Sequence, residues 1–303
     1  MSASTVLTFL LLWLLLEVVL KEYSGAVFFV DILGVGALTQ GKIEISENDF
    51  LAHNFSYNSG FSEHQFCAKL LLKFRRILIS ATQHVKNIKV AQLSDCAFVW
   101  SEDPNLVVNV ARDIMWKTVL GGILCRGGLA SGQIVEPDKI NTKLGMFICG
   151  GAVTDAVRLE EAGKGARIFI KQDLVSDLTK IPSSAFIPRK SLIDFSIIDE
   201  FQWYRYPKNI SSIYDKSNEK LVMDSIIKIL VMLKHSPKYS WNASSSLGRV
   251  QLASSIDIIS SETARSSKDF DLKFGYEYVV DNLGNRSEAL LKKILNYYQG
   301  MIN

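Results

Sequence analysis

The 303-residue chain predicts an α+β fold, with helices on one face of a mostly antiparallel sheet, on three observations. Two strand-like runs are separated only by Ser94-Asp95, too tight a connection for anything but a hairpin. Helical and extended stretches follow one another as strand, helix, hairpin, helix, strand, helix, strand, which is not the regular βα alternation of a doubly wound sheet. The composition, 48% hydrophobic and 21% charged, suits a buried core rather than a disordered chain.

The first strand is the apolar run Val27-Phe28-Phe29-Val30, closed by Asp31 and a turn carrying Gly34. Residues 62–81 read as a helix opened by a capping box from Ser62 to Gln65, with Phe66, Leu70, Phe74, Ile77 and Leu78 on one face. Residues 88–93 and 96–100 form the hairpin, which puts Asp95 at its tip. From Asp103-Pro104 to Leu120 the helical period returns, with proline in the first turn where its missing N–H does no harm. Residues 123–135 alternate around Gly127, Gly128 and Gly132, the mark of a strand with a bulge or a close backbone approach. Gly150-Gly151 precedes a helix over 152–161, and residues 167–170 close the sheet.

Beyond residue 182 the texture changes, with Pro188, Pro207 and helical patterns near 218–234 and 287–298. The expected organisation is therefore an apolar N-terminal helix (1–22), a main domain (23–182) and a C-terminal extension or subdomain (183–303). Residues 6–20 are nearly all apolar but fall short of the ~20 residues a spanning helix needs. They lack the basic start and small-residue cleavage site of a signal peptide, so a helix packed on the domain or on a dimer partner is favoured over membrane contact. Cys67, Cys96, Cys125 and Cys149 are scattered in apolar contexts without a Cys-x-x-Cys pair, which points to buried reduced thiols and a cytoplasmic protein. A net charge of +3, with no basic block, argues against a nucleic-acid partner.

A carboxylate at the end of a buried strand is costly unless a cation or partner compensates it, which makes Asp31 a candidate metal ligand. If the hairpin lies beside the first strand, Asp95 converges on Asp31, and two carboxylates with a triphosphate suit hard divalent cations such as Mg2+ or Mn2+. Separately, each aspartate could equally cap a turn. Gly34-Val35-Gly36 lets backbone amides turn toward phosphate oxygens, and no Walker-type loop is present.

Three blocks, Phe29-Val30-Asp31-Ile32-Leu33-Gly34, Leu93-Ser94-Asp95-Cys96-Ala97 and Gly151-Ala152-Val153-Thr154-Asp155-Ala156-Val157-Arg158-Leu159-Glu160, occur in the order and spacing of the class III nucleotide cyclases, which the chain resembles over about residues 23–171. Arg126-Gly127-Gly128 through Gly132 resembles the strand those enzymes place before the third block. The resemblance implies that Asp31, Asp95 and the Ile32 carbonyl hold two divalent ions per site. It implies further that Arg158 stabilises the transition state, and that Thr154 stands where the family orients the ribose with an asparagine. A hydroxyl cannot reproduce an amide's donor and acceptor pair, so Thr154 is a departure. The family's later phosphate-binding lysine has no clear counterpart beyond Lys190 or Arg189.

Ala91 and Phe147 occupy the two positions where purine cyclases carry base-reading polar groups, and neither can read a purine edge. With Glu200-Phe201-Gln202-Trp203-Tyr204-Arg205-Tyr206-Pro207 in the extension, the chain resembles the pyrimidine cyclases of bacterial Pycsar antiphage systems. That resemblance implies a homodimer with shared active sites that converts UTP to cyclic UMP, or CTP to cyclic CMP, for a separate effector protein. The alternatives are a catalytically inactive nucleotide-binding domain and a membrane-attached purine cyclase.

Overall fold

The computed structural model describes residues 19–58, 60–139, 145–191, 193–206, 248, 250–251 and 254–255. Seven strands, β1 (Leu20–Ile32), β2 (Lys89–Leu93), β3 (Cys96–Ser101), β4 (Cys125–Pro137), β5 (Ile168–Ile170), β6 (Phe186–Lys190) and β7 (Ile197–Phe201), form one sheet in the order β2-β3-β1-β4-β5-β7-β6. Every neighbouring pair is antiparallel except β4 and β5. The expected α+β class, with a mostly antiparallel sheet, is what the chain adopts.

Two long helices cover one face. Ser62 caps α3 (Glu63–Thr82) by accepting from the Gln65 amide at 3.4 Å, and Asp103 caps α4 (Pro104–Leu120) by accepting from the Asn105 amide at 2.9 Å. Before them lie two short helices, α1 (Val35–Thr39) and α2 (Glu47–Ala52), which hydrophobic period alone did not signal. Phe66, Leu70, Phe74 and Leu78 of α3 and Val107, Val108, Ala111 and Ile114 of α4 bury against Ala26, Phe28, Val30 and Ile32, the even-numbered positions of β1.

The opposite face carries α5 (Gly151–Glu161), so helices lie on both sides of the sheet and not on one as expected. Ala152, Ala156 and Leu159 of α5 pack on Val27, Trp100, Ala130 and Phe169. The helix seats this closely because Gly128 has no side chain: a Cβ there would land on the Ala156 carbonyl oxygen and the Glu160 amide. This is the close backbone approach that the glycine-bearing run predicted.

Two boundaries differ from expectation. Residues 20–22, assigned to an N-terminal helix, are the start of β1, while residues 1–18 lie outside the described residues. Residues 186–206, assigned to the extension, complete the sheet as β6 and β7, following α6 (Gln172–Asp177), and contribute Phe186, Phe201, Trp203 and Tyr206 to the main core. The fully buried Glu200 ties these strands in by accepting from Arg167 Nη1 at 2.6 Å and Arg189 Nε at 2.8 Å. The helical patterns near 218–234 and 287–298 fall outside the described residues. Cys67 and Cys125 are buried as expected, but Cys96 is half-buried and Cys149 exposed; all four are free thiols.

Candidate active site

Local sequence brings Asp31 to the end of β1, and the sheet gives it neighbours. In the ladder Asp31 stands between Cys96 of β3 and Arg126 of β4, on the face that α5 covers. The β2–β3 connection is the two-residue turn the sequence indicated, with Ser94 in the left-handed region at φ 57. Its tip is latched to the strand end, because the Ile32 amide donates to the Asp95 carbonyl oxygen at 3.1 Å. Asp31 and Asp95, far apart in the chain, are therefore neighbours.

Their charges feel one another. Burial first, then the negative charges of Glu160 and Asp95, push the Asp31 carboxyl up to about 7, against a smaller downward pull from the Arg126 guanidinium. A site in which carboxylates are partly desolvated and crowd each other suits a divalent cation, which relieves both penalties at once. Among the described residues no three histidine, cysteine, aspartate or glutamate side chains gather closely enough to hold a metal by themselves. Asp31, Asp95 and the Ile32 carbonyl oxygen would hold the ions, with water and phosphate oxygens supplying the remaining ligands, as is common for Mg2+.

Past Asp31 the chain turns at Gly34, whose φ of 93 is the left-handed conformation glycine adopts without strain. It then enters α1, where the amides of Val35 and Gly36 fall in the first turn and make no intrahelical bond. Two amides without intrahelical partners thus lie beside the carboxylates rather than elsewhere on the sheet. Half-buried Cys96 shares this neighbourhood; burial and the charges of Asp31 and Asp95 push its thiol up to about 11, which keeps it protonated and a poor ligand.

Arg158 and Thr154 lie four residues apart on the exposed face of α5, while Ala152, Ala156 and Leu159 bury its other face. The Thr154 hydroxyl donates back to the Gly150 carbonyl at 3.4 Å. Among the described residues Arg158 has no ion-pair partner, Glu161 included. It projects outward, away from the helix face that meets Asp31's strand.

Ala91 and Phe147 are not brought together within the chain. Ala91 lies opposite Phe98 on β2, half-buried on the α5 face. Phe147 is exposed on the segment that leads into α5, which is held to β4 by the Cys149–Val135 bridge, so β3 and β1 stand between the two. Arg189 and Lys190 lie on β6 toward the end of the sheet opposite Asp31, and Arg189 is bound to Glu200. Neither takes the place of a phosphate-binding lysine beside Asp31 within the subunit.

Two residues that sequence reading left without a role enter the site. Arg126 is the cross-strand partner of Asp31, and its guanidinium is bound to the Glu160 carboxylate. Only the pairing of β1 with β4 places them, although both fall inside the blocks that carry the cyclase resemblance.

No protein-family model matches this chain, and no curated protein does. Among solved structures it is similar to the catalytic core of a rhodopsin-guanylyl cyclase with converted specificity in complex with ATPalphaS, at 19% identity and a TM-score of 0.41 over 60% of this chain and 97% of that one. It is also similar to the guanylyl cyclase Cya2, at 10% identity and a TM-score of 0.45 over 65% and 96%. The adenylyl cyclase CyaB from P. aeruginosa is a third, at 14% identity and a TM-score of 0.42 over 60% and 94%. At such identities and TM-scores these likenesses transfer neither a substrate nor a residue's role.

Proposed function

We propose that this protein is a nucleotide cyclase, and specifically a pyrimidine cyclase that converts UTP to 3′,5′-cyclic UMP and pyrophosphate as a messenger in bacterial antiphage defence. The observation that carries the reading is the convergence of Asp31 and Asp95 at one end of the sheet, latched by the Ile32–Asp95 backbone bond. Divalent ions held by Asp31, Asp95 and the Ile32 carbonyl oxygen would lower the pKa of the attacking 3′-hydroxyl and neutralise phosphate charge.

The chain's own residues do the rest. Asp31 and Asp95 orient the site, and the Val35 and Gly36 amides lie where the phosphates pass. The 3′-hydroxyl gives its proton to water as its oxygen attacks the α-phosphorus in line, forming one P–O bond as the bond to pyrophosphate breaks. Arg158, which faces outward, serves the site of a second subunit and balances the charge that grows on the α-phosphate. The pyrimidine preference is supported by Ala91 and Phe147, which give a purine edge no polar partner. The role in defence rests on the sequence resemblance that Ala91, Phe147 and the run 200–207 bear to the Pycsar cyclases.

The decisive experiment supplies UTP, CTP, ATP and GTP separately with Mn2+ and identifies the products. Cyclic UMP as the main product is expected. Cyclic CMP or a purine product would correct the substrate, and nucleotide binding without pyrophosphate release would reveal an inactive domain. Mixing Asp31→Ala and Arg158→Ala subunits tests the shared site: turnover should return in the mixture, and silence in a confirmed heterodimer refutes it.

A further inference from the structure

We propose that Arg126 and Glu160 form a positioning pair that couples the two active sites of the dimer; the inference rests on the cyclase reading above. Arg126 lies directly across the ladder from Asp31. Its guanidinium donates to the Glu160 carboxylate through both Nε and Nη2, and to the Gly163 carbonyl oxygen through Nη1 at 3.1 Å. Arg126 is 8% exposed and Glu160 4%, so the contact is held away from water.

Glu160 lies two residues beyond Arg158 on α5. The pair therefore runs from the strand beside the carboxylate to the helix that bears the exposed arginine. Gly128, two residues along β4 from Arg126, lets helix and strand meet backbone to backbone, since α5 backbone atoms fill the place of its missing Cβ. Asp95, Lys164 and Glu161 are the other charged groups whose fields reach Asp31 or Glu160.

Within one subunit these two ends serve different sites. Asp31 belongs to the subunit's own site, whereas Arg158 reaches its partner's. A displacement of α5 carried together with β4 would move Arg158 at one site and, through Glu160, the guanidinium beside Asp31 at the other. A buried pair transmits such a displacement because either charge, left alone, is strongly penalised.

The test uses a heterodimer purified through two different tags, one subunit carrying Asp31→Ala and the other Arg158→Ala. Only one site can then work, built from Asp31 of the second subunit and Arg158 of the first. Arg126→Met with Glu160→Met is added to one subunit at a time; removing both charges together is tolerated far better than removing one. In the first subunit, where Asp31 is already gone, the pair can act only through α5: kcat should fall at least about tenfold at an unchanged half-saturating Mn2+ concentration. In the second, where Arg158 is gone, the half-saturating Mn2+ concentration should rise at least about tenfold.

An effect in only one subunit, or in neither, overturns the coupling, and so does an identical fall of kcat in both with Mn2+ dependence untouched. A parent heterodimer that makes no cyclic nucleotide at all overturns the shared-site reading itself, and the coupling with it. Should the double substitution fail to fold, as judged by its melting transition, Glu160→Gln placed in the same two ways is read by the same criteria.

Discussion

The two faces of the sheet are built from alternate residues of the same strands and do different work. On one, Ala26, Phe28, Val30 and Ile32 meet α3 and α4 in a continuous apolar layer. On the other, Val27 is buried under α5, but Phe29 and Phe98, tilted against each other with ring centroids 4.8 Å apart, and Ala91 are only partly covered, and Asp31 ends the row. The covered face holds the fold together. The half-covered face leaves its aromatic side chains partly open and ends in a charge. A one-residue slip of β1 would exchange the two roles, which is why the register matters more than the composition of the strand.

The sharpest way to break this division is to remove charge from the half-covered face. Arg158→Ala should lower cyclisation on the order of 100- to 1,000-fold, the loss typical of a single transition-state donor, and Asp31→Ala at least as much. Both proteins should keep the melting temperature of the parent or exceed it; a drop of many degrees in either would mean that the site also holds the fold. Product formation and thermal melting, measured on the same samples, decide it.

The reverse experiment attacks the covered face. Phe74, fully buried in α3, should cost about 3–5 kcal/mol when cut to alanine, measured by urea denaturation. Its turnover per folded molecule should be nearly unchanged. Loss of activity in protein shown to be folded would erase the distinction between the faces.

A smaller effect follows from the Asp31 carboxyl. Its value in the folded, metal-free protein, about 7, lies above its ordinary 3.8, so folding tightens its hold on the proton. The corresponding stability is present at pH below about 4 and is lost as pH rises through 7. Asp31→Asn should therefore raise the melting temperature of metal-free protein at pH 8 by about 4 °C or more. The gain should shrink as pH falls toward 5. Because binding a cation requires the carboxylate, Mn2+ affinity of the parent should fall as pH drops from 8 toward 5. A pH-independent difference between the two proteins would dismiss the shift.

The smallest change belongs to Phe147, which is exposed and outside either core. Phe147→Ala should alter stability by no more than about 0.5 kcal/mol. Ala91→Lys, which restores a polar group beside Phe98, should narrow the preference for UTP over ATP in a competition assay. An unchanged preference would remove Ala91 from the base pocket.

The strand that ends in Asp31, the hairpin around Ser94-Asp95 and the helices of 63–82, 104–120 and 151–161 were legible because each is written in a local period or a turn. The glycine at 128 was legible as a close approach, but not as the seat of α5. Short helices 35–39 and 47–52 were missed since one or two turns leave little period to read. The strands at 186–190 and 197–201 were placed in the wrong unit, because proline and a change of texture look like a boundary even where pairing continues. The Arg126–Glu160 contact was invisible for a related reason: its partners are 34 residues apart and meet only when β4 and α5 are stacked.

The sequence by itself determined which residues lie on strands and helices, which carry acid, and that glycine marks the crowded point, because these depend on neighbours within a turn or two of chain. Only the tertiary structure decided that Asp31 faces α5, that Cys96 and Arg126 flank it, and that Arg158 points away from its own carboxylates. Strand order and helix side are set by contacts between distant segments competing to bury the same apolar surface, and no local pattern encodes the outcome of that competition.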